Sequence, residues 1–366
     1  MEIDLGKLVD DHIKESSRRG LVSDTNGIIM DTPEAIVDLI ELLSQKDVEF
    51  EWKRNQVKAF FLSFLVRLEE DTYLRVTYEL VRRCLDHVDI DELADKLCFF
   101  VSGDKLLDQI LQTKDEQRLK QFNRLLINEL LLRGRVISDD KKKIFLESFS
   151  EFDFNWVGLE LNEIETGLSL RNYTLNGSGF GFSFGLQSEK KFPYSVLDFS
   201  DIKLSKNTNQ ELNNLSSTIA KDHIHLIEMG SFEYSAKDID GLPAGIICHL
   251  SYNEYLSEIT NIAFKQINIK DLFHYLFSMS VFGGAYGRGG SGATSRINSW
   301  KVISGLIQKN YLEFSKEEIV EALNHFTWAE FSTEQGWFIN EWIDLGVIGI
   351  NIKEKKYAIL VISDTD

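Results

Sequence analysis

Leu345-Gly-Val-Ile-Gly-Ile-Asn-Ile352 and Tyr357-Ala-Ile-Leu-Val-Ile-Ser363 flank a charged tip, Lys353-Glu-Lys-Lys356. Two apolar, β-branched runs of strand length around a short polar loop predict an antiparallel hairpin over 345–363. That hairpin makes the end of the chain β. Further back, the alternation in His223-Ile-His-Leu-Ile-Glu-Met229 predicts another strand, with His223, His225 and Ile227 on one face and Ile224, Leu226 and Glu228 on the other. Asn172–Gly185 alternates aromatic and small residues with repeated glycine and reads as a strand or an exposed loop. Ser205-Lys-Asn-Thr-Asn-Gln210 reads as a polar surface loop, and Ile269–Phe282 as a helix.

The first 150 residues have a different period. Ile36, Val37, Ile40, Leu42 and Leu43 fall on one broad helical face, introduced by Asp31-Thr-Pro-Glu34. Val57, Phe60, Phe61, Phe64, Leu65 and Leu68 repeat the spacing, as do Tyr73, Val76, Leu80, Val81 and Cys84. Further helices are expected near 89–99, 103–112, 115–133 and 140–149, with Asp71 or Thr72 and Asp89 as caps. Short connectors make successive helices antiparallel neighbours, in an irregular array for which HEAT-like pairing is one arrangement. The expected fold class is therefore α+β. A helical domain (1–150) precedes a mixed α+β domain (151–366) that contains a glycine-rich loop (283–292) and ends in the hairpin.

Across 366 residues the chain carries 40 Lys and Arg against 58 Asp and Glu, a net charge of −18. The helical part holds 23 basic and 30 acidic groups and the remainder 17 and 28, so neither half is basic. Such a field repels phosphate backbones and anionic lipid. It argues against nucleic acid and membrane as partners. Hydrophobic residues at 43%, with 25 Phe and 6 Trp, supply a sizeable core and exclude wholesale disorder. Three cysteines, Cys84, Cys98 and Cys248, are too few and odd in number for a disulfide framework, and are expected as buried thiols. Met1-Glu-Ile-Asp-Leu5 lacks the basic-then-apolar order of a signal peptide, and no run approaches the ~20 apolar residues of a membrane span. A cytoplasmic setting is expected.

The most unusual stretch is Phe282-Gly-Gly-Ala-Tyr-Gly-Arg-Gly-Gly-Ser-Gly-Ala-Thr-Ser-Arg296, in which six of the ten residues from Gly283 to Gly292 are glycine. Exposed N–H groups there could cradle an anion ahead of a helix starting near Ala293, with Arg288 and Arg296 as counter-charges. The same arginines could equally pair with local carboxylates. Gly287, Gly289 and Gly292 satisfy G-x-G-x-x-G, and Glu313 lies at a suitable distance, but the preceding residues read as helix where a dinucleotide fold needs a strand. No Gly-Lys-Ser/Thr ending is present, which excludes a P-loop.

His223 and His225 would share a strand face and could give two metal ligands, with Asp222 and Glu228 nearby; solvent-facing histidines are the plainer reading. Ser291 has no nucleophile-elbow context. Asp364 and Asp366, with Asp344, could bind a cation or act as acid and base; a solvated acidic end is the plainer reading. Trp328, Trp337, Phe338 and Trp342 read as core or a domain seam. No cofactor is indicated.

Gly283-Gly-Ala-Tyr-Gly287, Gly292-Ala293, Arg296 and Trp300, followed by Trp337-Phe338, Trp342-Ile-Asp344-Leu-Gly346 and Ser363-Asp-Thr-Asp366, resemble a bacterial family of uncharacterised proteins. The resemblance covers the C-terminal region and departs in a longer, more glycine-rich loop, Arg288–Ser291. It implies a bacterial intracellular protein and brings no established activity with it.

The reading expected from these features is a non-catalytic binding or interaction protein with a basic protein partner, of an immunity-type conflict system or a regulatory one. The alternative is an enzyme or small-ligand binder that holds a phosphate-bearing group with Gly283, Gly284, Tyr286, Gly287, Arg288, Gly289, Gly292, Arg296, Asp344, Asp364 and Asp366 as its candidate residues.

Overall fold

The structure is a computed structural model that describes residues 4–14, 19–48, 51–148, 157–174, 177–179, 190–193, 202–207, 224–234, 242–249, 261–283, 289–333 and 345–363. It divides into two compact units, one of residues 1–150 with 172–179 and one of 151–171 with 180–366.

The first unit is helical: α1 (Leu5–Lys14), α2 (Arg19–Asp31), α3 (Ala35–Gln45), α4 (Glu51–Leu62), α5 (Glu70–Cys84), α6 (Ile90–Phe100), α7 (Gly103–Thr113), α8 (Lys120–Leu132) and α9 (Asp139–Ser148). The expected apolar faces are the buried ones: Ile36, Val37, Ile40 and Leu43 on α3, and Tyr73, Val76, Leu80, Val81 and Cys84 on α5. Asp89 caps α6 as its position suggests, its carboxylate accepting from Glu92 N–H at 3.1 Å. Asp71 and Thr72 do not cap α5. The helix begins earlier, at Glu70, and both lie in its first turn. Asp31 closes α2 and does not open α3; Thr32–Glu34 form the turn between them.

A two-stranded hairpin, β1 (Asn172–Thr174) and β2 (Gly177–Gly179), completes this unit. Tyr173 is buried, and its hydroxyl donates to Asp95 on α6 at 2.6 Å. The other carboxylate oxygen of Asp95 takes Arg133 at 2.6 Å, so a buried acid is both neutralised and hydrogen-bonded.

The second unit is built on a seven-stranded antiparallel sheet. Its strands are β3 (Lys190–Pro193), β4 (Ile202–Asn207), β5 (Ile224–Tyr234), β6 (Asn261–Ile267), β7 (Thr327–Thr333), β8 (Leu345–Asn351) and β9 (Lys356–Ser363). The spatial order is β3-β6-β7-β8-β9-β5-β4. The C-terminal hairpin is thus the middle of the sheet, with Val347 opposite Leu360 and Ile348 opposite Ile359. Its continuous apolar runs suit that place, since every residue of β8 is buried. Ring packing crosses the sheet at Gly349, where a Cβ would meet the Trp328 indole. Trp328 itself is core, its Nε1 donating to the Leu323 carbonyl at 3.1 Å.

One expectation changes here. Ser205–Asn207, read as loop, belongs to edge strand β4, because its backbone pairs with Met229–Ser231 of β5. Polar side chains suit a strand that borders solvent. The segment around Cys248 is a short buried helix, α10 (Leu242–Cys248), which joins Ile246 and Ile247 to the sheet's core with Phe232, Phe264, Ile348 and Ile359. Glu228 on β5 is buried and takes the Tyr357 hydroxyl and Lys206 Nζ, each at 2.8 Å.

Candidate functional site

The glycine-rich stretch joins two buried helices, α11 (Ile269–Phe282) and α12 (Gly292–Leu306). Gly283 ends α11 in the left-handed conformation that favours glycine, and its N–H returns to the Met279 carbonyl at 2.9 Å. At the far end Gly290 N–H donates to the Ser280 carbonyl at 2.8 Å, so the chain folds back onto the end of α11. Ser291 caps α12 by accepting from Thr294 N–H at 3.1 Å.

Helix α12 keeps only a narrow half-buried stripe, Thr294, Asn298 and Lys301: twelve of its fifteen residues are buried, from Gly292 and Ala293 through Arg296 and Trp300 to Leu306. Glycine, alanine and serine let α11 and the sheet approach on several sides. Ser299 bonds the Ser295 carbonyl one turn back, which satisfies its hydroxyl inside the helix. A charged residue off that stripe is carried into the interior, and Arg296 is that residue.

Arg296 meets Glu165. Nε donates to Glu165 Oε1 at 2.6 Å and Nη2 to Oε2 at 3.2 Å, a two-point pairing of planar groups. The guanidinium also donates to the carbonyls of Gly158, Val157 and Glu160 at 3.1, 2.9 and 2.9 Å. Both side chains have no solvent exposure. Glu165 gains three further donors: Trp300 Nε1 at 2.8 Å, Lys316 Nζ at 3.0 Å and Asn162 N–H at 2.6 Å. Lys316 begins α13 (Lys316–Leu323) and also reaches the Glu160 carbonyl at 3.1 Å.

Local sequence sets up both ends. Glu165 closes a capping box with Asn162 on a single 3-10 turn, and Ser315 with Glu318 does the same ahead of α13. These turns aim Glu165 and Lys316 at one point under α12. Burial on its own would raise the Glu165 carboxyl, but the charge and hydrogen bonds of Arg296, with Lys316 and Trp300, hold it below the usual carboxylate range. Burial, and then the Arg296 charge, lower the Lys316 amine to about 8 against the pull of Glu165. The arrangement therefore holds two cations on one carboxylate in a water-poor interior. Chemically it offers a fully solvated-by-protein carboxylate, which is a poor base, and one amine close to neutrality.

Of the residues singled out in the sequence, Gly283, Gly289, Gly292 and Arg296 are placed together around the α11–α12 junction. Arg296 is engaged by the local carboxylate, Glu165. Gly284, Tyr286, Gly287, Arg288, Asp344, Asp364, Asp366 and His223 lie outside the described residues, as do Trp337, Phe338 and Trp342. His225 stands on β5 opposite Ile362 of β9. Among the described residues no group of three or more His, Cys, Asp or Glu is placed to hold a metal ion. Glu165 and Lys316 were missed by motif reading; the only local signals were the two capping boxes, which mark turns and not a charge cluster. All three thiols are buried and raised by that burial, Cys84 to about 11 and Cys248 to about 12.

Fold and site together define an α+β protein with a helical N-terminal region and an antiparallel sheet, whose second unit encloses a buried acid held by two bases. Among the described residues no helix is long and apolar enough to cross a membrane. The chain belongs to a family of unknown function, DUF6183, whose model matches residues 27–366. The match takes in the helical region as well as the C-terminal stretch that carried the resemblance. No curated protein and no solved structure matches the chain.

Proposed function

We propose that this protein is a non-catalytic binding protein of the bacterial cytoplasm that engages a basic protein partner through its helical unit. The observation that carries this reading is Trp52, which stands 60% exposed on α4 in a unit otherwise well cored. Large aromatics are seldom left to solvent, and Trp is among the residues that anchor protein interfaces. Met30 and Val136 of the same unit are also exposed. The net charge of −18 favours a basic partner and speeds its encounter. In the second unit the buried acids Glu165 and Glu228 are each engaged by bases of the same unit, which fits a scaffold. Affinity capture from the native host with the wild type and Trp52→Ala tests it. A basic protein retained by the first and lost by the second is expected; the same proteins retained by both would overturn the reading.

A second reading rests on one specific observation. Among the described residues the hydroxyls of Ser280 and Ser295 are buried without a hydrogen-bond partner beside the Gly289–Gly292 turn. Unsatisfied donors near a helix N-terminus suit an anionic, phosphate-bearing ligand. Such a ligand would raise the melting temperature. A flat thermal-shift screen with inorganic phosphate and nucleotides would remove this reading.

A further inference from the structure

Lys316 has a set of partners that suits one of its protonation states better than the other. An ammonium carries three N–H donors, whereas a neutral amine carries two and a lone pair. Nζ finds two oxygen acceptors, Glu165 Oε2 at 3.0 Å and the Glu160 carbonyl at 3.1 Å. Among the described residues no third oxygen accepts from it, and the Trp300 ring centre lies 5.6 Å away, at the outer limit of a cation–π contact. A neutral amine would use both donors and keep its lone pair.

Charge points the same way. Arg296 and Lys316 share the single carboxylate of Glu165, so the buried cluster has one positive charge in surplus. A guanidinium cannot give it up. Lys316 can, and it alone of the three reaches solvent, with its side chain 11% exposed against 0% for Glu165 and Arg296. Glu317, next along α13, and Glu165 favour the charged amine; burial and Arg296 oppose them and prevail.

We propose that Lys316 is a site of covalent acylation by an acyl phosphate. The Nζ lone pair bonds to the acyl carbon, and the bond from that carbon to the phosphate oxygen breaks. Phosphate leaves with the electron pair, and Nζ gives a proton to solvent. The amide product is uncharged and leaves Arg296 and Glu165 as a neutral pair. It keeps one N–H for the Glu160 carbonyl, while Glu165 Oε2 retains Asn162 N–H at 2.6 Å and Arg296 Nη2 at 3.2 Å. Acylation thus removes the surplus charge without orphaning the carboxylate. This inference stands apart from the partner-binding reading.

The test incubates the full chain with acetyl phosphate and follows each lysine by peptide mass spectrometry. Lys353 and Lys355, exposed at the hairpin tip, are the internal references. At about pH 7.5 Lys316 is expected to react on the order of tenfold faster than either. Its rate should climb with pH to a plateau with a midpoint near 8, and its advantage should vanish in denaturant. Lys316 reacting no faster than the tip lysines in the native protein, or keeping the same advantage when unfolded, would overturn the proposal.

Discussion

Glu165 and Arg296, 131 positions apart in the chain, meet at 2.6 Å with neither exposed to solvent. The pair links a 3-10 turn near the start of the second unit to the helix that follows the glycine-rich stretch. A buried ion pair recovers its desolvation cost only when its remaining donors and acceptors are satisfied. Here three backbone carbonyls complete the guanidinium, and an indole, an amine and a backbone N–H complete the carboxylate.

Removing Arg296 should therefore be far more damaging than removing Lys316. Arg296→Met leaves Glu165 with Lys316 alone as counter-charge and strips three carbonyls of a donor, at a cost of about 3–5 kcal/mol. Lys316→Met deletes the surplus charge and should cost about 1 kcal/mol or less. Denaturant unfolding of both variants checks the order; equal losses would contradict it.

Lys316 gives the stability a signature in alkali. Below about pH 8 it is protonated folded and unfolded alike, and its burial penalty is complete. Between that point and the ordinary value of 10.5 the unfolded chain holds a proton that the folded one has released, so stability rises with pH. The thiols pull the opposite way above their ordinary 9.0, because burial raises them in the fold. From pH 8 to 9 the wild type should gain up to about 1 kcal/mol relative to Lys316→Met. A parallel pH dependence of the two proteins would contradict this.

The cysteines should be inert in the native protein. Cys84, Cys98 and Cys248 are buried and all raised above their ordinary range by desolvation. At neutral pH a thiol reagent should label them only on the timescale of unfolding, and all three within minutes in denaturant. Fast native labelling of any one would show that its burial is wrong.

Gly289→Ala tests the fold-back of the glycine-rich segment. Gly289 has φ of 61°, and a Cβ there would drive into the Val281 carbonyl oxygen and the Arg171 guanidinium. Arg171 donates to that same carbonyl at 2.5 Å. Strain and clash together should cost roughly 2 kcal/mol or more, read as a fall in melting temperature. Gly179→Ala, where a Cβ meets nothing, is the control.

The fold was legible where the local pattern and the final environment agree. The hairpin could be read because β8 and Tyr357–Ile362 of β9 are buried, which demands unbroken apolar runs. Asp89 could be read because a cap acts within one turn. Ser205–Asn207 could not, since only its pairing with β5 makes that polar segment a strand. The site was legible by half. Arg296 stood out beside the glycines, and its sequence allowed a ligand or a carboxylate. Choosing Glu165 depends on tertiary packing that no local spacing encodes. Lys316 gave no sign at all, because its altered proton affinity comes from burial and from Arg296, not from its neighbours in the chain.

Titrating the Lys316 side chain in the full protein, by the pH dependence of its 13Cε resonance, tests the shared-carboxylate arrangement most directly. A midpoint at about 8 is the predicted result. A midpoint at the ordinary lysine value of 10.5 would contradict the buried cluster of one acid and two bases.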